Sequence, residues 1–284
     1  DFKKIAVSIL SASMLSFLLA LVFGIDVTSI ASESLFLSVG FNAGSQNKNY
    51  FAYSMLAVLM LLDLYRVNNP NKAKALKNFT IVLLLLANSR SAIIVWIVYL
   101  YFSNLQRLKL NRNFKQLTVF IFFLVVALAS RPVFTYFVEN SNNFNFRING
   151  LNNYLNYVAD DWFHIIFGYA EMAFRNEYTY AINVRSTIGW DGSVEFALLN
   201  VMLKNGLIGL AGYIFMFVCL HHKIKEMKPC KEKDIALSIF WSFLLSSLAE
   251  SFIVQLAFVF SPVMYSIIAF IPWRQQNNNL EGNT

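Results

Sequence analysis

Apolar and polar positions divide the chain into long blocks. The first apolar run extends from Ile5 to Ile25, and comparable stretches follow at about 49–67, 71–88, 91–108, 116–134, 196–220, 235–249 and 252–272. A bilayer core of about 30 Å takes about 20 such residues per helix. The pattern therefore predicts an all-α, polytopic transmembrane helix bundle of about eight spans. It forms a single integral membrane domain over 1–284, with one large external loop at 132–195. The 24 residues from Phe79 to Phe102 could be one span interrupted by Asn88-Ser89-Arg90-Ser91. Both flanks are basic, and a single crossing would leave a strongly basic loop outside, so the segment reads as a hairpin with Arg90 at the outer face. The same logic splits 235–272 into two helices meeting near Glu250 and leaves an Asn-rich tail in the cytoplasm.

Composition agrees. Hydrophobic residues make up 57% of the chain and charged residues 14%, against roughly 25% charged in a soluble domain, which excludes a soluble globular enzyme. The net charge of +7 is explained by topology. Lys and Arg gather at Lys3-Lys4, Arg66 to Lys77, Arg107 to Lys115, Lys223 to Lys233 and Arg274, in alternate loops, as the positive-inside rule requires of cytoplasmic segments. This side holds 16 of the 23 basic residues. The external surface is not basic overall, and a nucleic-acid partner is not expected. Cys219 and Cys230 offer no disulfide framework. The chain begins at Asp1 with no signal peptide, as though inside a longer protein.

The loop 132–195 is too polar to span and too aromatic to be disordered. Ile148, Leu151, Leu155 and Val158 recur at helical spacing, while Asn149, Asn152, Asn153 and Asn156 line another face, which predicts an amphipathic helix lying on the bundle. Asp160-Asp161 precedes Trp162-Phe163-His164-Ile165-Ile166-Phe167 and reads as the cap of a short apolar helix rather than a catalytic pair. His164 reads as a packed interfacial residue, and no zinc site is expected. Gly206, Gly209 and Gly212 recur every three residues and predict close helix packing, not a phosphate loop. Motifs for ATP or nicotinamide are absent from the sequence, and no cofactor is expected.

Four patches resemble, in this order, the O-antigen polymerase and O-antigen ligase superfamily of bacterial envelope assembly. They are Gly44 to Ala52, Asn88-Ser89-Arg90-Ser91-Ala92, the stretch from Arg147 to Gly168, and Glu195-Phe196-Ala197-Leu198 followed by Asn205-Gly206-Leu207-Ile208-Gly209-Leu210. In the ligases a His typically stands eleven residues before the Gly-Leu-Ile-Gly element; here that position is Glu195, a departure that favours the polymerase branch. The resemblance implies a bacterial inner-membrane glycosyltransferase with its active side facing the periplasm. It would polymerise undecaprenyl-pyrophosphate-linked oligosaccharide units into O-antigen, capsular or exopolysaccharide chains, with a flippase and a chain-length regulator as partners. The alternatives are a ligase that moves glycan onto lipid A core, or a polysaccharide flippase or transporter. Transporters tend to carry internal repeats and helices broken at the midplane.

That chemistry needs cations on a leaving pyrophosphate and a base on the acceptor hydroxyl. Arg suits pyrophosphate because its guanidinium donates paired hydrogen bonds and keeps its charge. Arg90, Arg131, Arg147, Arg175 and Arg185 map to the external half. Arg90 and Arg147 are the expected catalytic cations, with Arg131, Arg175, Arg185 and Asn49 binding substrate. An ionisable group at membrane depth is functional by default, although Arg90 as a helix-end anchor and Arg147 as a headgroup anchor are the structural alternatives. Glu195, where a helix enters the outer leaflet, is the expected general base, with helix N-terminal stabilisation as its other reading. Asp191 is a substitute base, and Glu250 could pair with Lys204.

Overall fold

The computed structural model describes residues 1–31, 38–45, 47–107, 118, 149, 152–153, 155–156, 161–168, 197–247 and 259–281. They are mostly helical: α1 (Phe2–Val22), α2 (Lys48–Asn68), α3 (Lys74–Leu86), α4 (Arg90–Arg107), α5 (Trp162–Phe167), α6 (Ala197–Glu226), α7 (Lys231–Ser246) and α8 (Phe260–Glu281). A short antiparallel ribbon, β1 (Thr28–Ala31) and β2 (Ser38–Phe41), pairs Thr28 with Phe41 and Ala31 with Ser38. It lies in the polar interval after the first apolar run, where the hydropathy pattern predicts no helix, and leaves the helical class unchanged. The chain divides into two compact units. One comprises Asp1–Ser32, Phe36–Arg107 and Met216–Thr284, and the other Glu33–Leu35 and Leu108–Phe215.

Among the described residues three helices, α1, α2 and α6, are long and apolar enough to cross a membrane. They do so in different settings. In its most apolar stretch α2 is 67% buried, while α1 and α6 are each 17% buried. The central helix is α2, which packs against α1, α3, α4, α7 and α8, so residues such as Phe51, Met55, Leu59 and Leu62 are enclosed on every side. A helix apolar all round belongs in such a place. By contrast α1 turns Leu15, Leu18 and Leu21 outward, and α6 turns out Phe215 and Val218. Exposed apolar surface of this extent on span-length helices is what lipid covers.

Within the first unit the predicted hairpins are present. Asn88, with φ of 48°, separates α3 from α4 in a left-handed turn that Asn tolerates better than most residues. Lys77 on α3 and Tyr99 on α4, equally far from Asn88 in sequence, both reach Asp63 of α2, so the chain reverses there. Near the start of α7 Glu232 meets Arg274 of α8, while further along Phe243 packs against Phe260 and Tyr265, so these helices also run antiparallel. The helix α8 does not stop at the predicted 272 but continues through Pro272 to Glu281. Gln275 accepts from the Lys228 backbone at 3.0 Å and Arg274 bonds Glu232 at 2.5 Å, contacts that hold the turn following the proline. The fifth predicted span, 116–134, lies outside the described residues apart from Thr118, and so does Glu250.

Small polar residues allow α7 to pack closely. Ser238, Ser242 and Ser246 recur every four residues on its buried face. Each hydroxyl donates to a carbonyl of its own helix, at 2.8, 2.7 and 2.6 Å. Short side chains satisfied in this way let neighbouring backbones approach, and the most extensive packing of α7 is against α4.

Candidate functional site

The first two sequence patches meet at one end of the first unit. Asn47 is the N-cap of α2, its side-chain Oδ1 accepting from the Asn49 amide at 2.9 Å. Ser89 stands immediately before α4 and its Oγ accepts from the Ala92 amide at 3.4 Å. The same hydroxyl donates to Asn49 Oδ1 at 2.8 Å, so the N-termini of α2 and α4 are joined through one buried serine. A helix N-terminus carries roughly half a positive charge. Two of them converge here, beside the side chains of Lys48 and Arg90, which are close enough to repel each other.

The ribbon and the α3–α4 turn frame this end. Asn88 Nδ2 donates to the Val39 carbonyl at 3.1 Å. A Cβ on Gly40 would collide with the Ala87 carbonyl and lie 2.5 Å from Lys48 Cδ, so only glycine lets β2 pass between the turn and the lysine stem. Arg90 itself is exposed, and among the described residues it has no carboxylate partner. The result is an electropositive end, with an Asn amide and a serine hydroxyl fixed by hydrogen bonds and a guanidinium left open. Chemically it can hold an anion and neutralise charge that develops on a leaving group.

Of the expected site residues, Arg90 and Asn49 are brought together here. Arg131, Arg147, Arg175, Arg185, Glu195 and Asp191 lie outside the described residues. Lys48 is an addition that hydropathy alone did not single out, although it belongs to the first patch. Compared with protein-family models, curated proteins and solved structures, the chain matches none.

In the second unit the third and fourth patches also meet. Asp161 is the N-cap of α5: its Oδ1 accepts from the His164 amide at 3.3 Å, and its Oδ2 contacts His164 Nδ1. The hydrogen bonds from His164 hold the exposed carboxyl below the usual carboxylate range. The capping role of Asp161 is thus realised, and His164, expected as a packed interfacial residue, is the partner of the cap. The helix ends at Gly168, whose φ of 69° and ψ of −172° suit glycine alone. Asn149, Asn152, Asn153 and Asn156 are helical and exposed, as is Leu155.

Gly206 adopts nearly the same conformation, φ 63° and ψ −165°, and breaks α6. A Cβ there would strike the Ile166 carbonyl, and one on Gly168 would strike the Gly206 amide, so the two backbones touch. The expected three-glycine packing face is corrected in part. A Cβ on Gly209 would meet its own helix's Asn205, and Gly212 faces open space. The close approach belongs to Gly206, and its neighbour is the end of α5.

The opposite end of the first unit collects the basic loops. Lys3 lies over the Tyr65 ring at 5.8 Å, and Asn68 reaches Glu232 at 3.4 Å. Lys77 pairs with Asp63 at 2.5 Å, and Asp63 also accepts from Tyr99 at 3.0 Å. This network was missed because Asp63 stands alone in an apolar run and its partners come from two other helices. A cleft of about 390 Å³ opens beside it, lined by Asp63, Arg66, Lys77, Lys231 and Asp234 among others. His221, at the C-terminal end of α6, stacks on Phe240 of α7 with ring centres 5.2 Å apart.

Proposed function

We propose that the protein is a membrane glycosyltransferase that polymerises undecaprenyl-pyrophosphate-linked oligosaccharide units at the periplasmic face of a bacterial inner membrane. The observation that carries this reading is the convergence of two helix N-termini, Lys48 and Arg90 at the end of the unit away from the basic loops. A diphosphate leaving group requires such a concentration of positive charge. The order of the four patches supports the reading, together with the contacts that join the first to the second and the third to the fourth.

In this reading Arg90 and Lys48 bind the diphosphate of the donor and Asn49 is oriented by Ser89 toward the substrate, while Arg147 is the second cation that the family resemblance implies. Glu195 takes the proton of the acceptor hydroxyl as that oxygen attacks the anomeric carbon and the lipid diphosphate departs. The eight-span count, with basic loops in the cytoplasm, belongs to the same proposal.

One observation favours a second reading. Discontinuous helices mark transporters, and α6 is broken at Gly206, near the edge of its uncharged stretch rather than at the middle. A single experiment separates the two. Expressed in a strain lacking its polymerase, the protein should restore a ladder of long glycan chains. Restored transport of lipid-linked units without chain growth identifies a flippase and overturns the polymerase reading.

A further inference from the structure

The short helix α5 combines features that the proposed chemistry does not use. Trp162, Phe163 and Phe167 are 68%, 51% and 46% exposed. Phe163 packs on Phe167 at 5.0 Å between ring centres and Trp162 lies edge-on to Phe163 at 6.1 Å, so the three rings form one outward-facing cluster. Water is a poor environment for such a cluster. The polar end of the same helix is the Asp161–His164 pair.

The position of α5 along α6 indicates what covers the cluster. The backbone of Ile166 to Gly168 abuts Gly206. The 18 residues from Asn205 to His222 contain no Lys, Arg, Asp or Glu and are bracketed by Lys204 and Lys223. At about 1.5 Å per residue they cover about 27 Å, close to the hydrocarbon thickness of a bilayer. Gly206 therefore marks one boundary of the apolar layer. Leu207 and Ile208, next in the chain after the glycine that α5 abuts, are 45% and 57% exposed, apolar surface of the kind lipid covers.

We propose that α5 is a membrane-interface anchor whose Trp162, Phe163 and Phe167 insert at the headgroup level of the bilayer beside the break in α6. Aromatic residues concentrate at that depth because one side of the ring is apolar and the other meets polar groups. The Asp161–His164 pair stays on the aqueous side. Glycine at 168 and at 206 is required because the anchor reaches its depth only by backbone contact with the break. The inference rests on α6 crossing the bilayer and is independent of which reaction the protein performs.

The test uses the full chain in lipid nanodiscs and the fluorescence of Trp162. Trp96, Trp190, Trp241 and Trp273 are replaced by Phe, and quenching is compared between lipids brominated near the top of the acyl chain and near its end. The expected result is loss of more than half of the emission with the shallow bromines and less with the deep ones. Emission quenched by aqueous iodide and untouched by brominated lipid overturns the proposal, as does stronger quenching by the deep bromines. If the fourfold replacement does not fold, the difference between the native chain and Trp162→Phe must show the same depth order. A spin label on the exposed Cys219 of α6 separates the two premises. Oxygen-accessible and shielded from aqueous nickel, it places α6 in the bilayer, so a failure at Trp162 then falls on the anchor alone. A water-exposed label removes both.

Discussion

The two ends of the first unit carry cations in opposite ways. At the basic-loop end, protein partners are present: Lys77 pairs with Asp63, Arg274 with Glu232 and Lys223 with Glu226. Arg66 donates twice to the Pro70 carbonyl, and Lys233 Nζ donates to the carbonyls of Lys225 and Met227. At the other end Arg90 is exposed, faces the like charge of Lys48 and has no carboxylate partner among the described residues. Number of charges is thus a poor guide to chemistry. The end rich in Lys and Arg is held together by them, while the sparse end leaves a cation available to a ligand.

Substitution of Arg90 gives the sharpest test of that contrast. If the protein is the polymerase proposed above, Arg90→Ala should lower chain extension by roughly 100-fold or more, the scale on which loss of one group stabilising transition-state charge is felt, and collapse the glycan ladder to single repeats at unchanged membrane abundance. Arg66→Ala, at the opposite end, should leave the ladder intact. Equal ladders for the two variants would erase the proposed distinction between the ends.

The stability response should be reversed. Asp63→Ala removes the partner of Lys77 and of the Tyr99 hydroxyl at once. A mostly buried ion pair broken on one side costs about 3–5 kcal/mol. The Lys77 side chain is 20% exposed, so solvent relieves part of this and about 2 kcal/mol is expected. Thermal unfolding in detergent should show the loss for Asp63→Ala and almost none for Arg90→Ala. Ser89→Ala is intermediate: it removes one hydrogen bond to Asn49, worth about 1 kcal/mol, and shortens the ladder by loosening the junction of α2 and α4. Arg274→Ala, at a pair partly open to solvent, should cost about 1 kcal/mol or less and leave glycan length unchanged.

The contrast between the ends also shows what the sequence could reveal. Runs of apolar residues place α1, α2, α3, α4 and α7 within a few positions, because lipid and core make the same demand on composition along a whole helix, whereas α6 and α8 run on past the predicted 220 and 272 to Glu226 and Glu281. Asn88-Ser89-Arg90 is visible as a turn because polar residues interrupt an apolar run there, and Asp161 as a cap because capping is local. Asp63 was not legible as the centre of a network, since its partners lie 14 and 36 residues away. Nor was the break at Gly206: Asn-Gly-Leu-Ile-Gly reads as a packing motif, and only the approach of α5 explains the conformation. The joining of Asn49 to Ser89 is a tertiary fact of the same kind. The patches that met were visible; their meeting was not.

The smallest expected effect concerns pH and lies in the second unit. The Asp161 carboxyl is held below the usual carboxylate range, first by the hydrogen bond from the His164 side chain and then by the His164 amide. A group whose folded pKa is depressed adds stability above its unfolded value, about 3.9 for Asp, and that stability is lost as pH falls through the lower folded value. The cap of α5 should therefore hold at neutral pH and weaken only in acid below about pH 4. Hydrogen exchange at the Ile165 amide, which bonds the Asp161 carbonyl at 3.1 Å, should accelerate over that range. In Asp161→Asn the acid dependence should vanish, because an amide oxygen caps without titrating. Exchange that accelerates in acid equally in both proteins would mean that the acid response comes from elsewhere and not from the cap.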